Sequence, residues 1–278
     1  MARVLITGVR GKTGVALAAR LTARDDVEVR GGSSDPSTVT VPGVVPTACS
    51  WDRPAEWSAA LDGADAVFVV RPDRPDAPEL VAALLEQAPA GTHAVLLSEQ
   101  AADRVGPDGW AVRTEAAVRS SGRPWTVLRP SWFMQVLTDD RFFRHALLQD
   151  GELPFSSGGA RVAWIDAGDI AAVAERALLE PGHAGEVHEL TGPEALSLPA
   201  TAELVGRVTG TSVVHREVPL ESSADGAEGF ERELTLLTFE RVHAGHFAVV
   251  TDAVDRVAGR PARPLQAFLA DALGAARP

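Results

Sequence analysis

Short β-branched runs alternate with longer amphipathic stretches through the first 130 residues, the pattern of a parallel sheet with helices on both faces. The runs RVLIT (3–7), VEVRG (27–31), VVPTA (44–48), DAVFVV (65–70), HAVLLS (93–98) and WTVLRP (125–130) predict six strands. Helices are predicted near 12–23, 54–61, 76–87 and 111–121, with Pro54 placed for a helix start and Gly122 for a helix end. Beyond Pro130 the rhythm is irregular. DDRFFRHALLQDGELPF reads as a helix with apolar and basic faces followed by a turn. RVAWIDAGDIAAVAERALLE reads as a strand running into a capped helix, and EVHELTGPEALSLPATAELVGRVTG repeats that order. After about residue 213 the pattern gives a strand, an acidic loop at LESSADGAEGFERE and two or three helices.

Composition narrows the partners. At 278 residues and 45% hydrophobic content the chain can bury a substantial core. The formal charge of −12 and the interleaving of arginine with acid leave no continuous basic surface, so nucleic acid is not an expected partner. Lys12 is the only lysine beside 25 arginines, which reads as coding bias, and tyrosine is absent. The single cysteine, Cys49, excludes an internal disulfide and fits a reducing compartment. MARVLITGVRG turns into glycines too early for a signal sequence, and no run has the roughly 18 apolar residues of a membrane span. The expectation is a soluble cytoplasmic protein, monomer or homodimer, whose partner is a small molecule.

The chemistry starts at GVRGKTG, residues 8–14, between the first strand and the first helix. In that context Gly8 permits a sharp turn, Gly11 bares the backbone for a pyrophosphate, and Gly14 lets the helix pack closely. The helix N-terminus adds free N–H groups and partial positive charge, and Thr13 a hydroxyl. At the end of the second strand VRGGSSDP has no acid among Gly31, Gly32, Ser33 and Ser34, which suits a 2′-phosphate, with Arg10 and Lys12 to supply charge. Asp35 stands about 20 residues past Gly14, near where a ribose-binding acid is expected, but Pro36 suggests a turn there. NADP is therefore expected over NAD.

Several stretches together carry a family resemblance: GVRGKTG, WDRPAEWSAAL, RSSGRPWTVLRPSWFMQ, WIDAGDIAAVA, HELTGPEALS and VTDAVDRVAGRPARP. They resemble the NmrA-like atypical short-chain dehydrogenases, in the branch that includes ergot-alkaloid agroclavine dehydrogenase and its bacterial relatives. The resemblance implies an α/β fold with a Rossmann-type doubly wound parallel sheet over residues 1–135. Residues 136–278 would return strands to that core and form a smaller α+β substrate lobe. Carried over by position, Gly8, Arg10, Gly11, Lys12, Thr13 and Gly14 would hold the pyrophosphate, and Ser33 and Ser34 would face the 2′-phosphate. Val70, Arg71 and Ser98 would flank ribose and nicotinamide, with Pro130 at the end of the sixth strand. Where lysine-using relatives carry their lysine, this chain reads RTEAAVRSS.

Ketone reduction gathers negative charge on oxygen and calls for a positioned acid. Tyrosine cannot supply it here. An iminium ion already carries the charge and needs no proton, so the expected reaction is hydride transfer to a C=N⁺ or conjugated acceptor, with Ser98 and Glu115 as candidate donors. Trp132, Phe133, Gln135 and Phe155 are the expected substrate contacts, Phe142 and Phe143 being equally well placed for core. HAGH (243–246) lacks a third ligand, so no metal site is expected. Asp166 and Asp169 read as a strand end and a helix cap. Two rivals share the fold: a non-catalytic NADP sensor, and a redox-neutral isomerase or cyclase.

Overall fold

A computed structural model of the chain describes residues 1–274. In chain order its elements are β1 (Ala2–Thr7), α1 (Lys12–Thr22), β2 (Val27–Ser33), β3 (Val44–Ala48), α2 (Trp57–Leu61), β4 (Ala66–Val70), α3 (Ala77–Glu86), β5 (His93–Leu97), α4 (Trp110–Arg119) and β6 (Trp125–Pro130). There follow β7 (Glu152–Phe155), β8 (Arg161–Val162), α5 (Ala167–Leu179), β9 (Glu186–Leu190), β10 (Leu196–Ser197), α6 (Leu198–Thr209), β11 (Val214–Glu217), α7 (Gly229–His243), α8 (Ala253–Ala258) and α9 (Leu265–Leu273).

The chain divides into two compact units, Met1–Pro130 with Ala167–Glu189, and Ser131–Asp166 with Leu190–Pro278. The last four residues of the expected 136–278 segment lie outside the described residues. Ser131 to Gln135 go with the second unit, and 167–189 return to the first.

In the first unit the large sheet runs β3-β2-β1-β4-β5-β6-β9, the doubly wound order, and its pairs from β3 through β6 are parallel. The order reverses beside β1, so the carboxyl ends of β1 and β4 flank the crevice where such sheets bind ligands. Strands β1, β4 and β5 are buried along nearly their whole length, which is why they read as continuous apolar runs. Trp57, Leu61, Val81, Leu84 and Leu85 pack on Leu5, Val67, Val69 and Leu96, each fully buried apolar side chain contributing about 1.5–3 kcal/mol. Helix α1 packs against α5, and Arg20 binds Glu175 at 2.7 Å.

The second unit is held by aromatic side chains. Trp132, Phe155 and Phe239 meet with ring centroids 5.0–5.1 Å apart, and Trp164 is buried behind them, donating its indole N–H to Thr201 at 3.0 Å. β7 pairs parallel with β11, and β8 antiparallel with β10. The expected helix over DDRFFRHALLQDG is not formed as such. Asp139 turns its carboxylate onto the N–H of Arg141 at 3.0 Å and Phe143 reaches back to the Val136 carbonyl, so the chain turns first and only its second half is helical, from Arg144 and as a π-helix over Ala146–Asp150, ended by Gly151. The acidic stretch is half loop; its end, from Gly229, opens α7. No helix among the described residues is long and apolar enough to cross a membrane.

Candidate active site

At the carboxyl end of β1 the Thr7 hydroxyl donates towards the Phe68 and Val70 carbonyls at 3.3 and 3.2 Å and accepts the Val70 N–H at 2.8 Å, fixing β1 to β4. The chain then turns at Gly8 with φ +66°, where a methyl group would stand 3.1 Å from the Val70 Cβ. A methyl on Gly14 would overlap the Gly8 carbonyl oxygen and come within 2.8 Å of the Val9 Cα, so α1 sits on the loop only because that residue is glycine. Gly11 differs. A methyl there would meet nothing but the Gly8 oxygen, at 3.2 Å, so its outer side is open backbone.

Gly11 is also the N-cap of α1, with no side-chain cap and no acid in the first turn. The helix therefore offers an anion its leading N–H groups and the positive end of its dipole. The Thr13 hydroxyl is buried without a hydrogen-bond partner, as expected of a group that awaits a ligand oxygen or a water. Arg10 is exposed and Lys12 half-buried on the same loop. These features fit a dinucleotide diphosphate.

The end of β2 is built around a turn. The Ser33 hydroxyl donates to the Asp35 carbonyl at 2.9 Å and accepts its N–H at 3.1 Å, while the Ser34 side chain is exposed. The Asp35 carboxylate accepts the Ser37 hydroxyl at 2.6 Å and N–H at 3.1 Å, and these bonds, with the charge of Arg10, hold it below the usual carboxylate range. Pro36 does open a turn, and the acid at the distance expected of a ribose ligand caps it. Arg53, which sequence reasoning passed over, donates to the Ser34 carbonyl at 2.6 Å and pairs with Glu56. Cys49 lies close by; burial pushes its thiol up to about 11, leaving little thiolate near neutral pH.

At the ends of β4 and β5 the Arg71 guanidinium donates to the Leu97 carbonyl at 2.8 Å and to Glu99 at 3.0 Å and lies 4.2 Å above the Trp110 ring. Ser98 donates its hydroxyl proton to Glu115 Oε1 at 2.7 Å. Glu115, only 2% exposed, is gripped by both arms of Arg129 at 2.8 Å, and Arg119 reaches its second oxygen at 3.1 Å. Hydrogen bonding to Glu115 holds the Arg129 guanidinium above its ordinary value. The two groups singled out as donors are thus tied to each other: Glu115 accepts on both oxygens from guanidinium groups, and Ser98 spends its proton on Glu115. The Pro130 carbonyl accepts the Gln100 N–H at 2.8 Å. The sequence held one signal for this network, an arginine inside the buried strand WTVLRP, which demands a partner.

In the second unit a cavity of about 860 Å³ is walled by Trp132, Phe142, Phe143 and Phe239. Phe142 is half exposed, so of the two phenylalanines left open it stands outside the core, while Phe143 packs partly into it. Phe155 is fully buried behind Trp132 and does not line the cavity. Of the other expected substrate contacts, neither Phe133 nor Gln135 lines the cavity: Phe133 forms a backbone bridge to Ile165, and Gln135 donates to Asp166 at 2.7 Å, which also accepts Arg263 at 2.9 Å. The acidic loop and α7 supply the other side of the cavity, which the sequence alone did not reveal. Among the described residues no group of three or more His, Cys, Asp or Glu could hold a metal ion.

Residues 8–181 match the NAD(P)H-binding family. The chain belongs to that family. It is 34% identical over 249 residues to NAD(P)H azoreductase of Xenophilus azovorans, covering 84% of this chain and 85% of that one. It is 27% identical over 281 residues, 94% of each chain, to festuclavine synthase II of Penicillium roqueforti. The fold superposes with a TM-score of 0.82 on the triphenylmethane reductase of Citrobacter sp. complexed with NADP(H), at 19% identity, over 98% of this chain and 100% of that one. Within the family the resemblance to NmrA-like proteins and clavine reductases holds. The chain is an NAD(P)H-dependent reductase.

Two substitutions probe this geometry. Gly11→Asp, which sets a carboxylate against the helix N-terminus, is expected to weaken dinucleotide binding at least about a hundredfold in calorimetry. Arg129→Ala strands the Glu115 charge, and urea unfolding should show a loss of about 3–5 kcal/mol, with a smaller loss when Glu115→Leu is added.

Proposed function

We propose that this reductase prefers NADPH and delivers hydride, without a side-chain acid, to an activated C=N⁺ of a small aromatic or polycyclic metabolite, or to a conjugated C=C acceptor whose resulting enolate takes its proton from water. The observation that carries the reading is the Ser98–Glu115–Arg129 arrangement, in a chain that has no tyrosine. The bound reduced nicotinamide supplies the hydride. Gly8, Arg10, Gly11, Lys12, Thr13 and Gly14 would hold the diphosphate, the helix end and the two cations balancing its charge. Ser34 with Arg10 and Arg53 would meet the 2′-phosphate, a reading supported by the engagement of Asp35 in its own turn. Val70 and Pro130 would wall the ribose and nicotinamide. Ser98, its proton committed, would present lone pairs alone, and would orient a ribose hydroxyl or the carboxamide without protonating a product.

An acceptor that leaves no alkoxide suits such a site, because hydride addition to C=N⁺ ends in a neutral amine. Relatives named as an azoreductase and a triphenylmethane reductase support a conjugated aromatic acceptor. Reductase relatives also favour turnover over the sensor and isomerase alternatives.

NADPH oxidation measured against matched acceptors tests the proposal. A cyclic iminium ion or a conjugated carbonyl should be reduced with kcat/KM at least about a hundredfold above the saturated ketone of the same skeleton, the usual worth of a missing general acid. Equal turnover of the ketone would overturn it.

A further inference from the structure

The cavity of the second unit carries charge as well as aromatic surface. Asp225 and Glu231 line it, and among the described residues neither carboxylate has an ion-pair or side-chain hydrogen-bond partner. Neighbouring charges are matched instead: Arg216, the one cation among the described lining residues, is bound to Glu152 at 2.5 Å, and Arg232 pairs with Glu221 at 3.1 Å. The cavity thus has on its lining two carboxylates without side-chain partners, beside aromatic walls, with Glu231 in the first turn of α7. Ser223, also on the lining, has a buried hydroxyl oxygen without a partner.

We propose that this cavity binds a cationic aromatic molecule, with Asp225 and Glu231 as the groups that select its charge. The faces of Trp132, Phe142, Phe143 and Phe239 carry negative quadrupole potential and attract a delocalised cation, and they also bury its apolar surface. The carboxylates act at the rim, where both residues are exposed, so they discriminate charge without bearing the cost of burying an ion. A neutral ring system would gain only the apolar contacts, and an anion would be repelled by both acids. Asp225 is held by its backbone, its N–H donating to the Ser222 carbonyl at 3.3 Å, so its side chain can be exchanged with little effect on the loop. The proposal rests on the reductase reading only in taking this cavity as the acceptor's; its test reads binding without cofactor.

N-methylacridinium and acridine at pH 8 share one flat ring system, the first a cation and the second neutral. Their binding to the full chain is followed by fluorescence anisotropy without NADPH. The cation should bind at least about tenfold more tightly than acridine, and the difference should shrink in about 1 M salt, where the screening length falls to about 3 Å. Asp225→Asn and Glu231→Gln should each weaken the cation about three- to fivefold, and together bring the two affinities nearly level, while acridine binding changes less than about twofold. Unchanged acridine binding shows that the variants fold. Equal binding of the two probes by the unaltered chain, a preference that survives both substitutions, or binding of neither probe would overturn the proposal. If the bound N-methylacridinium is not reduced when NADPH is then added, the cavity is not the acceptor's site and the proposed function fails there, while charge-selective binding leaves this proposal standing.

Discussion

A carboxylate cannot be buried between a helix and a sheet unless its charge is met, and the carboxyl ends of β5 and β6 in the first unit are organised by that constraint. Glu115 in α4 is 2% exposed, and the bidentate grip of Arg129 from β6 makes the position tolerable. The arginine in turn draws Glu189 and Asp103, each at 3.4 Å, to its remaining amino group. Ser98 completes the set from the end of β5. The same bonds that fix α4 to the sheet direct the Ser98 proton to Glu115, and the proposed hydride transfer without a side-chain acid rests on them.

The glycine loop has a comparable economy. Gly14 is needed for contact between α1 and the turn, Gly8 for the turn itself, and Gly11 for neither; its outer side is left as open backbone. In the second unit the aromatic side chains divide their work. Trp164 and Phe155 are core, and they press Trp132 into place so that it can serve as cavity wall.

Much of this was legible beforehand. Buried parallel strands announce themselves as apolar runs, and all six from RVLIT to WTVLRP form within a few residues of their expected bounds. Asp35 was readable because Pro36 restricts the backbone and signals a turn. The candidate site was less legible, since its contacts join residues far apart in the chain. Arg53 reaches Ser34 because β3 pairs with β2, and Glu115 meets Arg129 through the crossover from α4. The residues after Pro130 misled most: DDRFFRHALLQDG has helical composition, but Asp139 takes the Arg141 N–H and the helix begins only at Arg144.

The central claim is that hydride transfer proceeds here with no proton in flight. Isotope effects on kcat/KM with an iminium acceptor test it most directly. NADPH deuterated at the transferred position should slow the reaction at least about twofold, while D₂O should leave it unchanged, with no second effect when the two are combined. A solvent isotope effect of about two that is lost in Ser98→Ala would mean that Ser98 does release its proton, and the account would fail.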